Sequence, residues 1–287
     1  MNISKASKPE ESVKKQFDLS NKVIIITGGA GFLGLHFAEA IAEMGGFPIL
    51  LDMDQNKIEK GVEYLKDYGY QSDGFVLDLT DRSQVLDIVS QIVDLHHKID
   101  VLVNAAAFAM QNMKDEGDQF FAPFEDYDIE QWDKMLKVNL TGTFLITQAI
   151  GCEMKKQEKG IVINIASDLA LISPDQRIYE PDERFDYKGV SFNTPIGYPT
   201  TKAGILGFTR YLATYWAPYG IRVNALSPAG VYREQDLKFV EQLSYRIPLG
   251  RMAFPEELKG PIVFLCSDAS SYMTGSNLIV DGGRTIW

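Results

Sequence analysis

The sequence contains few of the residues that bind metals or form disulfides. Of 287 residues, only Cys152 and Cys266 are cysteines and three are histidines. Two cysteines so far apart form neither a disulfide framework nor a zinc-binding pattern, and such usage fits a reducing compartment. We therefore expect no metal site, and the default location is the cytoplasm.

Long apolar runs and basic clusters are also missing. No apolar run reaches the ~18 residues of a membrane-spanning helix, and the N-terminus lacks the apolar centre of a secretory signal. The net charge is −11 and lysine and arginine occur in no cluster beyond short pairs. Nucleic-acid binding needs a basic footprint, and an acidic surface disfavours anionic membranes. We expect neither partner.

What the chain does contain is an alternation of short apolar runs and helical patterns. The apolar runs predict strands at Val23–Thr27, Ile49–Asp52, Phe75–Asp78, Asp100–Asn104, Ile161–Ala166, Arg222–Ser227 and Ser276–Val280. Helices are predicted at Leu33–Met44, Lys57–Tyr68, Ser83–His96, Ile129–Lys156, Tyr198–Trp216 and Pro255–Ser267. This pattern predicts an α/β fold with a doubly wound parallel sheet, the Rossmann fold. We expect one domain over residues 18–287, preceded by a flexible tail at 1–17.

Three long segments interrupt the alternation, and each follows a predicted strand. They are residues 108–128, 168–197 and 231–252. In this fold, ligands bind beyond the carboxyl ends of the strands, where long loops are often functional. We expect these segments to enclose a small-molecule substrate; the alternative is that they are structural additions.

A glycine-rich turn joins the first strand to the first helix in VIIITGGAGFLG (23–34). The spaced glycines Gly28, Gly31 and Gly34 would let a phosphate approach the backbone, and a helix N-terminus offers free N–H donors. Asp52 stands eighteen residues past Gly34, at the end of the second strand. A carboxylate there can accept hydrogen bonds from a ribose 2′-hydroxyl and would repel a 2′-phosphate. The turn and Asp52 together predict NAD rather than NADP.

The stretch GYPTTKAG (197–204) carries a tyrosine and a lysine one helical turn apart. Pro199 favours a helix start at this point, so Tyr198 and Lys202 would lie on one helix face. A nearby ammonium lowers the pKa of a phenol, and a tyrosine with a lowered pKa could exchange a proton near neutral pH. Taken alone, the spacing is common in helices.

These motifs, in this order, resemble the short-chain dehydrogenase/reductase family over roughly residues 20–287. The cofactor-side matches are TGGAGFLG, LDLTD (77–81), VNAAA (103–107), SPAG (227–230) and VDGG (280–283). The resemblance implies a cofactor site made by Gly28, Gly31, Phe32, Leu33, Gly34, Asp52, Met53, Asp78, Leu79, Asn104, Ala105, Ala106, Tyr198, Lys202, Pro228, Gly230 and Val231. Phe32, Ala105 and Ala107 depart from the usual family residues.

The catalytic tetrad of that family matches Asn139, Ser167, Tyr198 and Lys202. The resemblance implies that Tyr198 is the general acid/base, that Lys202 lowers its pKa and holds the nicotinamide ribose, and that Ser167 binds the substrate oxygen. Asn139 would hold a water that links Lys202 to solvent. The interval from Ser167 to Tyr198 is longer than usual in the family.

The substrate is predicted less sharply. SDLALISPDQRIYE and NALSPAGVY resemble a subgroup linked to bacterial surface sugars, which favours a sugar or sugar nucleotide. Five polar side chains of the long segments could meet a phosphate or carboxylate: Arg177, Arg184, Lys188, Tyr232 and Arg233. The alternatives are a 3-oxoacyl-thioester reductase, a non-catalytic dinucleotide sensor, and a lyase or epimerase with transient hydride transfer.

The predicted helix that begins at Tyr198 is apolar nearly all round. An outer helix of a doubly wound fold has one face free, so the second apolar face indicates either a subunit interface or a tightly covered core helix. The family resemblance implies a homodimer or a homotetramer.

Overall fold

The computed structural model describes residue 10 and residues 12–109, 118–179 and 193–287. Most of the predicted tail, residues 1–9 and 11, lies outside the described residues. The remainder contains a four-residue exposed helix, α1 (Val13–Gln16). The next residue, Phe17, already packs against the core.

Seven parallel strands form one sheet in the order β3-β2-β1-β4-β5-β6-β7. They are β1 (Val23–Thr27), β2 (Phe47–Asp52), β3 (Asp73–Val76), β4 (Val101–Asn104), β5 (Gly160–Ile165), β6 (Ile221–Pro228) and β7 (Asn277–Val280). The predicted doubly wound fold is confirmed. Strand β3 ends before Asp78 because the Asp78 carboxylate accepts from the backbone N–H of Thr80 and starts a turn.

Helices cover both faces of the sheet. They are α2 (Phe32–Glu43), α3 (Gln55–Asp67), α4 (Arg82–His96), α5 (Ile129–Leu136), α6 (Thr143–Lys156), α7 (Gly197–Trp216), α8 (Leu237–Tyr245) and α9 (Lys259–Cys266). Successive side chains of a strand point to opposite faces. Ile24 and Ile26 therefore join one core cluster, while Ile25 joins the other. Burial on both sides explains why β1 is apolar at nearly every position.

The helix predicted over Ile129–Lys156 is not regular throughout. Between α5 and α6, residues Lys137–Gly142 form a π-helical turn. Such turns widen a helix locally and often occur at functional sites. Asn139 lies in this turn, so the irregularity coincides with a predicted site residue.

Two further differences concern helices near the C-terminus. The predicted helix Pro255–Ser267 begins as a 3₁₀ turn, Pro255–Leu258, and becomes α-helical only from Lys259. The segment 231–252 contains α8, whose N-terminus is capped by the Asp236 carboxylate. In the part of the chain that the structure describes, no helix has both the length and the apolar character needed to span a membrane.

Candidate active site

The glycine turn between β1 and α2 forms a tight backbone cradle. Gly28 has φ +62°, and a Cβ added to it would lie 2.8 Å from Cα of Ala106. A Cβ on Gly34 would lie 2.1 Å from the carbonyl oxygen of Gly28. Gly31 stands at the N-cap of α2 without a side-chain cap. The first N–H groups of a twelve-residue helix are thus available to a phosphate, which fits a dinucleotide.

An acidic residue stands beside this cradle. Asp52 ends β2, whose register places Leu51 opposite Thr27 at the end of β1. Its carboxylate accepts from the backbone N–H of Asp54 at 3.2 Å, and burial raises its pKa. The next side chain, Met53, is largely exposed. The arrangement suits a ribose hydroxyl, and the charge of Lys57 acts on the same carboxylate.

The remaining cofactor-side residues surround the cradle. The backbone N–H groups of Ala105 and Ala106 both donate to Thr27 Oγ1 at 3.1 Å. These hydrogen bonds hold the residues after β4 against the end of β1, where the glycine turn begins. Asp78 and Leu79 follow β3, where Leu79 packs against the backbone of the π-helical turn at Gly142. Leu33, at the start of α2, packs against the core.

Asn104 ends β4 with its side chain turned into the protein. Its Nδ2 donates to Thr147 Oγ1 and to Asn164 Oδ1, both at 2.8 Å. Its Oδ1 is buried and has no partner within the part of the chain that the structure describes. The hydrogen bonds to Thr147 and Asn164 therefore hold the Asn104 side chain and fix the end of β4.

The end of β6 closes the opposite side of the cradle. β6 ends at Pro228. The carbonyl of Gly230 then accepts from the N–H of Ala253 at 3.1 Å, and Val231 forms a parallel bridge with Ala253. The Arg233 guanidinium lies 4.9 Å from the centre of the Phe32 ring, so this segment reaches across to the start of α2.

Three of the predicted catalytic side chains lie together at the carboxyl end of β5. Ser167 follows β5, while Tyr198 and Lys202 occupy the first turns of α7. Ser167 and Lys202 are buried, and Tyr198 is half-buried. Lys202 Nζ donates to the carbonyl of Ile165 at 2.8 Å and lies 5.8 Å from the centre of the Tyr198 ring. The predicted helix start at Tyr198 is confirmed to within one residue.

The electrostatics of the tyrosine differ from the prediction. Burial raises the pKa of Tyr198 to about 12; the nearby Asp168 charge acts in the same direction, and the Ser167 side chain acts in the opposite one. Burial also lowers the pKa of Lys202 to about 8. In the protein alone the Tyr198 pKa is therefore raised and not lowered, because burial favours the neutral form of each group. That Lys202 lowers this pKa in the enzyme with bound cofactor stays a prediction.

Asn139 lies near this group but turns its side chain elsewhere. Its Oδ1 accepts from the N–H of Phe108 at 2.6 Å, and its Nδ2 donates to Thr201 Oγ1 at 3.2 Å. It thus ties the start of the segment 108–128 to α7, one residue before Lys202. Its water-binding role stays a prediction.

Sequence reasoning missed two charged residues beside Ser167. The Asp168 carboxylate accepts from Ser167 Oγ at 2.8 Å and from Arg284 Nη1 at 2.5 Å. Both members of this ion pair are buried. Asp168 could have been suspected from its position after Ser167, but nothing local marks Arg284, which lies 116 residues further along the chain.

The long segments pack against one another around the catalytic group. The Tyr179 ring stacks on Phe239 with 5.7 Å between ring centres, and Asp175 accepts from Arg246 Nε at 2.7 Å. Arg177 is exposed and also pairs with Asp175. Arg184 and Lys188, predicted to meet an anionic group, lie outside the described residues. Within the described ranges, no group of three or more His, Cys, Asp or Glu side chains could hold a metal.

Comparison with known proteins places this geometry in a family. Residues 22–179 match the short chain dehydrogenase family, and residues 187–285 match the family described as enoyl-(acyl carrier protein) reductase. The NAD-dependent glycerol dehydrogenase of Listeria innocua is 33% identical, with 95% of this chain and 97% of the relative covered. The D-threitol dehydrogenase of Mycolicibacterium smegmatis is 32% identical, with 96% and 98% covered. The 3-oxoacyl-[acyl-carrier-protein] reductase of Aquifex aeolicus is 31% identical, with 93% and 99% covered.

Solved structures of similar proteins share this fold. A short chain dehydrogenase from Leptospira borgpetersenii with bound NAD+ has a TM-score of 0.80 and 34% identity, and 98% of each chain is covered. A gluconate 5-dehydrogenase from Burkholderia cenocepacia in complex with NADP and tartrate has a TM-score of 0.81 and 28% identity, with 96% and 99% covered. The matches span the cradle and the catalytic group alike. The chain therefore belongs to the short-chain dehydrogenase/reductase family.

Proposed function

We propose that the protein is an NAD-dependent oxidoreductase that interconverts a secondary alcohol and a ketone on a polyol or a sugar. The observation that carries the proposal is the position of Tyr198 and Ser167. Ser167 acts on the pKa of the Tyr198 phenol, and both side chains lie at the edge of the sheet that also carries the glycine cradle.

The side chains divide the proton chemistry between them. A phenol with a pKa of about 12 is protonated at neutral pH, so Tyr198 is ready to donate a proton to a ketone oxygen. In the alcohol direction the same oxygen accepts that proton, which requires positive charge nearby, and Lys202 is the buried cation one turn away. Ser167 binds the substrate oxygen. When bound, the nicotinamide supplies or accepts the hydride.

The surroundings of Ser167 favour a hydroxylated substrate. Asp168 and Arg284 are charged, and Thr194 Oγ1 donates to the Tyr179 hydroxyl at 3.0 Å. Glycerol and D-threitol, named for two relatives, are of this chemical class, so we place polyols first. A 3-oxoacyl thioester is the second candidate, because the Aquifex aeolicus relative has that name. The resemblance to surface-sugar enzymes adds sugar nucleotides as a third.

The preference for NAD rests on Asp52. Its carboxylate would accept from a ribose 2′-hydroxyl and repel a 2′-phosphate. Solved structures in the family carry either NAD or NADP, so the fold alone does not set the preference. Both cysteines are free thiols, consistent with the cytoplasm as the place of action. A homodimer or homotetramer belongs to the same proposal.

One assay tests these points together. Purified protein would be given NAD or NADP with polyols, free sugars, sugar nucleotides and 3-hydroxyacyl thioesters, and reduced cofactor would be followed by absorbance. We expect turnover of a polyol with NAD, lost in Tyr198→Phe. Turnover of an acyl thioester with NADP alone would overturn both the substrate class and the role of Asp52. Tight NADH binding without turnover of any compound would favour a dinucleotide sensor.

A further inference from the structure

The Asp168–Arg284 ion pair is unusual in its burial. Only 3% of Asp168 and 8% of Arg284 is exposed. Taking two charges out of water costs several kcal/mol each, so a buried ion pair is seldom retained for stability alone. A reason for keeping it should therefore be sought in what the pair contacts.

The carboxylate contacts the catalytic serine directly. Ser167 Oγ donates to Asp168 Oδ1 at 2.8 Å, and the N–H of Leu169 donates to both Ser167 Oγ at 3.2 Å and Asp168 Oδ1 at 2.8 Å. A hydroxyl has one hydrogen and two lone pairs. The hydrogen is given to Asp168 and one lone pair accepts from Leu169, so in the free protein only one lone pair is left. Asp168 and Leu169 thus hold the Ser167 oxygen in place, and the hydroxyl hydrogen turns from Asp168 to the substrate oxygen when substrate binds.

The arginine in turn holds the carboxylate. Arg284 Nη1 donates to Asp168 Oδ2, the oxygen that Ser167 does not use. Burial raises the pKa of Asp168, and the Arg284 charge opposes that rise. Without the guanidinium, the carboxyl would tend to take up a proton and could then donate to Ser167 instead of accepting from it.

A rigid turn presents Arg284 to the site. Asp281 accepts from the N–H groups of Gly283 and Thr285 at 2.8 and 2.7 Å. Gly282 and Gly283 both have positive φ, and a Cβ on Gly283 would lie 2.9 Å from Pro248. The end of β7 and the segment 231–252 together therefore fix the position of the guanidinium.

From this geometry we infer that Asp168 and Arg284 are positioning residues for the catalytic serine. Asp168 holds the Ser167 oxygen in position, and Arg284 keeps the Asp168 carboxylate in place and ionised. Arg284 acts on the substrate oxygen only through Asp168 and Ser167. This role of Asp168 and Arg284 deepens the proposed function. It rests on that function only where turnover is measured.

The test asks whether the effects of the pair depend on Ser167. Asp168→Ala and Arg284→Lys would each be made in the wild-type and in the Ser167→Ala background. In the wild-type background we expect Asp168→Ala to lower kcat by about tenfold to a hundredfold, with a smaller change in KM, and Arg284→Lys to retain most activity. In the Ser167→Ala background Asp168→Ala should cost less than about threefold, since the group it orients is gone. Equal losses in both backgrounds would overturn the inference.

Asp175→Ala is the matched control. Asp175 lies on the same segment and also pairs with an arginine, Arg246, but none of its described contacts involves Ser167. Its effect should be the same in both backgrounds. An Asp175 effect that disappeared together with Ser167 would show that the dependence reports general loosening of the segment, and the inference would fail.

A crystallographic comparison is independent of turnover. In crystals of Asp168→Ala, we expect the Ser167 hydroxyl to leave its bond with the N–H of Leu169. A Ser167 hydroxyl in the same orientation in wild-type and Asp168→Ala crystals would overturn the inference. If the wild-type protein oxidised none of the substrates offered, the proposed function would fail, and the crystals would still decide the role of Asp168.

Discussion

Burial favours the neutral form of both Tyr198 and Lys202. The phenol keeps its proton up to about pH 12, and the ammonium loses its proton near about pH 8. The free protein is thus set for proton donation to a ketone. Removal of a proton from an alcohol requires positive charge near Tyr198, either on a bound ligand or on Lys202.

The lowered pKa of Lys202 predicts how stability depends on pH. The folded protein releases the lysine proton near pH 8, while the unfolded chain keeps it until about pH 10.5. Between these values the unfolded chain binds more protons, so stability rises with pH, by at most ~1.4 kcal/mol per pH unit. The raised pKa of Tyr198 has the opposite effect only above pH 10.0.

We therefore expect wild-type protein to gain stability relative to Lys202→Met as the pH rises from about 8 to about 10. The measurement is urea unfolding of both proteins across this range. A stability difference that stayed constant with pH would show that Lys202 has an ordinary pKa in the folded protein.

The role of Asp52 gives a second prediction at this scale. Asp52→Asn removes the charge that would repel a 2′-phosphate and weakens the acceptor for a ribose hydroxyl. Hydrogen bonds to charged groups contribute about 1.5–3 kcal/mol. We expect the ratio of kcat/KM for NAD to that for NADP to fall about tenfold or more.

Asp54→Asn serves as the matched control for Asp52→Asn. Asp54 lies two residues further on and caps α3 by accepting from the N–H of Lys57. Asparagine caps a helix about as well as aspartate, so this variant should change stability little and leave the cofactor ratio unaltered. A ratio that moved equally in both variants would remove Asp52 from cofactor selection.

At the scale of elements, the strands were more predictable than the helices. A strand such as VIIIT, buried on both faces, shows its burial as a continuous apolar run. The π-helical turn at Lys137–Gly142 shows no comparable signal, because its geometry follows from packing of Asn139 and Gly142 against other elements. Helix α8 was missed because only part of its surface is buried: Leu243 is the one buried residue of this helix.

The glycine turn allows a prediction for an element. Gly34→Ala would place a Cβ 2.1 Å from the carbonyl of Gly28, so the turn has to shift. We expect dinucleotide affinity to fall at least about tenfold, and stability to fall by about 1–3 kcal/mol, the usual cost of overpacking. Isothermal titration with NADH and thermal unfolding would measure the two effects.

Gly260→Ala is the helical control for Gly34→Ala. Gly260 lies on α9, and a Cβ there would meet nothing within 4 Å. Alanine has a higher helix propensity than glycine, so this variant should keep or slightly increase stability and bind NADH normally. Normal NADH binding by Gly34→Ala would mean that the cradle tolerates a side chain and does not hold the phosphates.

At the scale of the whole molecule, the limit of sequence reasoning is distance along the chain. Ser167, Tyr198 and Lys202 were found because short local motifs, a strand end and a helical spacing, resemble those of the family. The ion pair of Asp168 with Arg284 joins residues 116 positions apart, and only the sheet order brings the end of β7 to the end of β5. Residues that only the tertiary fold brings together show no periodic pattern in a single sequence, so their contact cannot be predicted from it.

One face of the molecule predicts self-association. On α7, Tyr211 and Tyr215 are 64% and 56% exposed and stack on each other, and Phe144 of α6 is 45% exposed beside Phe208. Large exposed apolar patches often mark protein–protein interaction sites. We expect the wild-type protein to run as a dimer or tetramer in size-exclusion chromatography with light scattering, and Tyr211→Ser with Tyr215→Ser to shift it to a smaller species.

A second stacked tyrosine pair provides the control for that shift. Tyr64 and Tyr68 on and after α3 have the same spacing and a ring-centre distance of 4.9 Å, but they lie away from α6 and α7. Tyr68→Ser should leave the mass unchanged, because loss of a single exposed ring does not by itself disturb assembly. A wild-type monomer, or dissociation by Tyr68→Ser alone, would show that the α6–α7 face is not the surface through which copies of this chain associate.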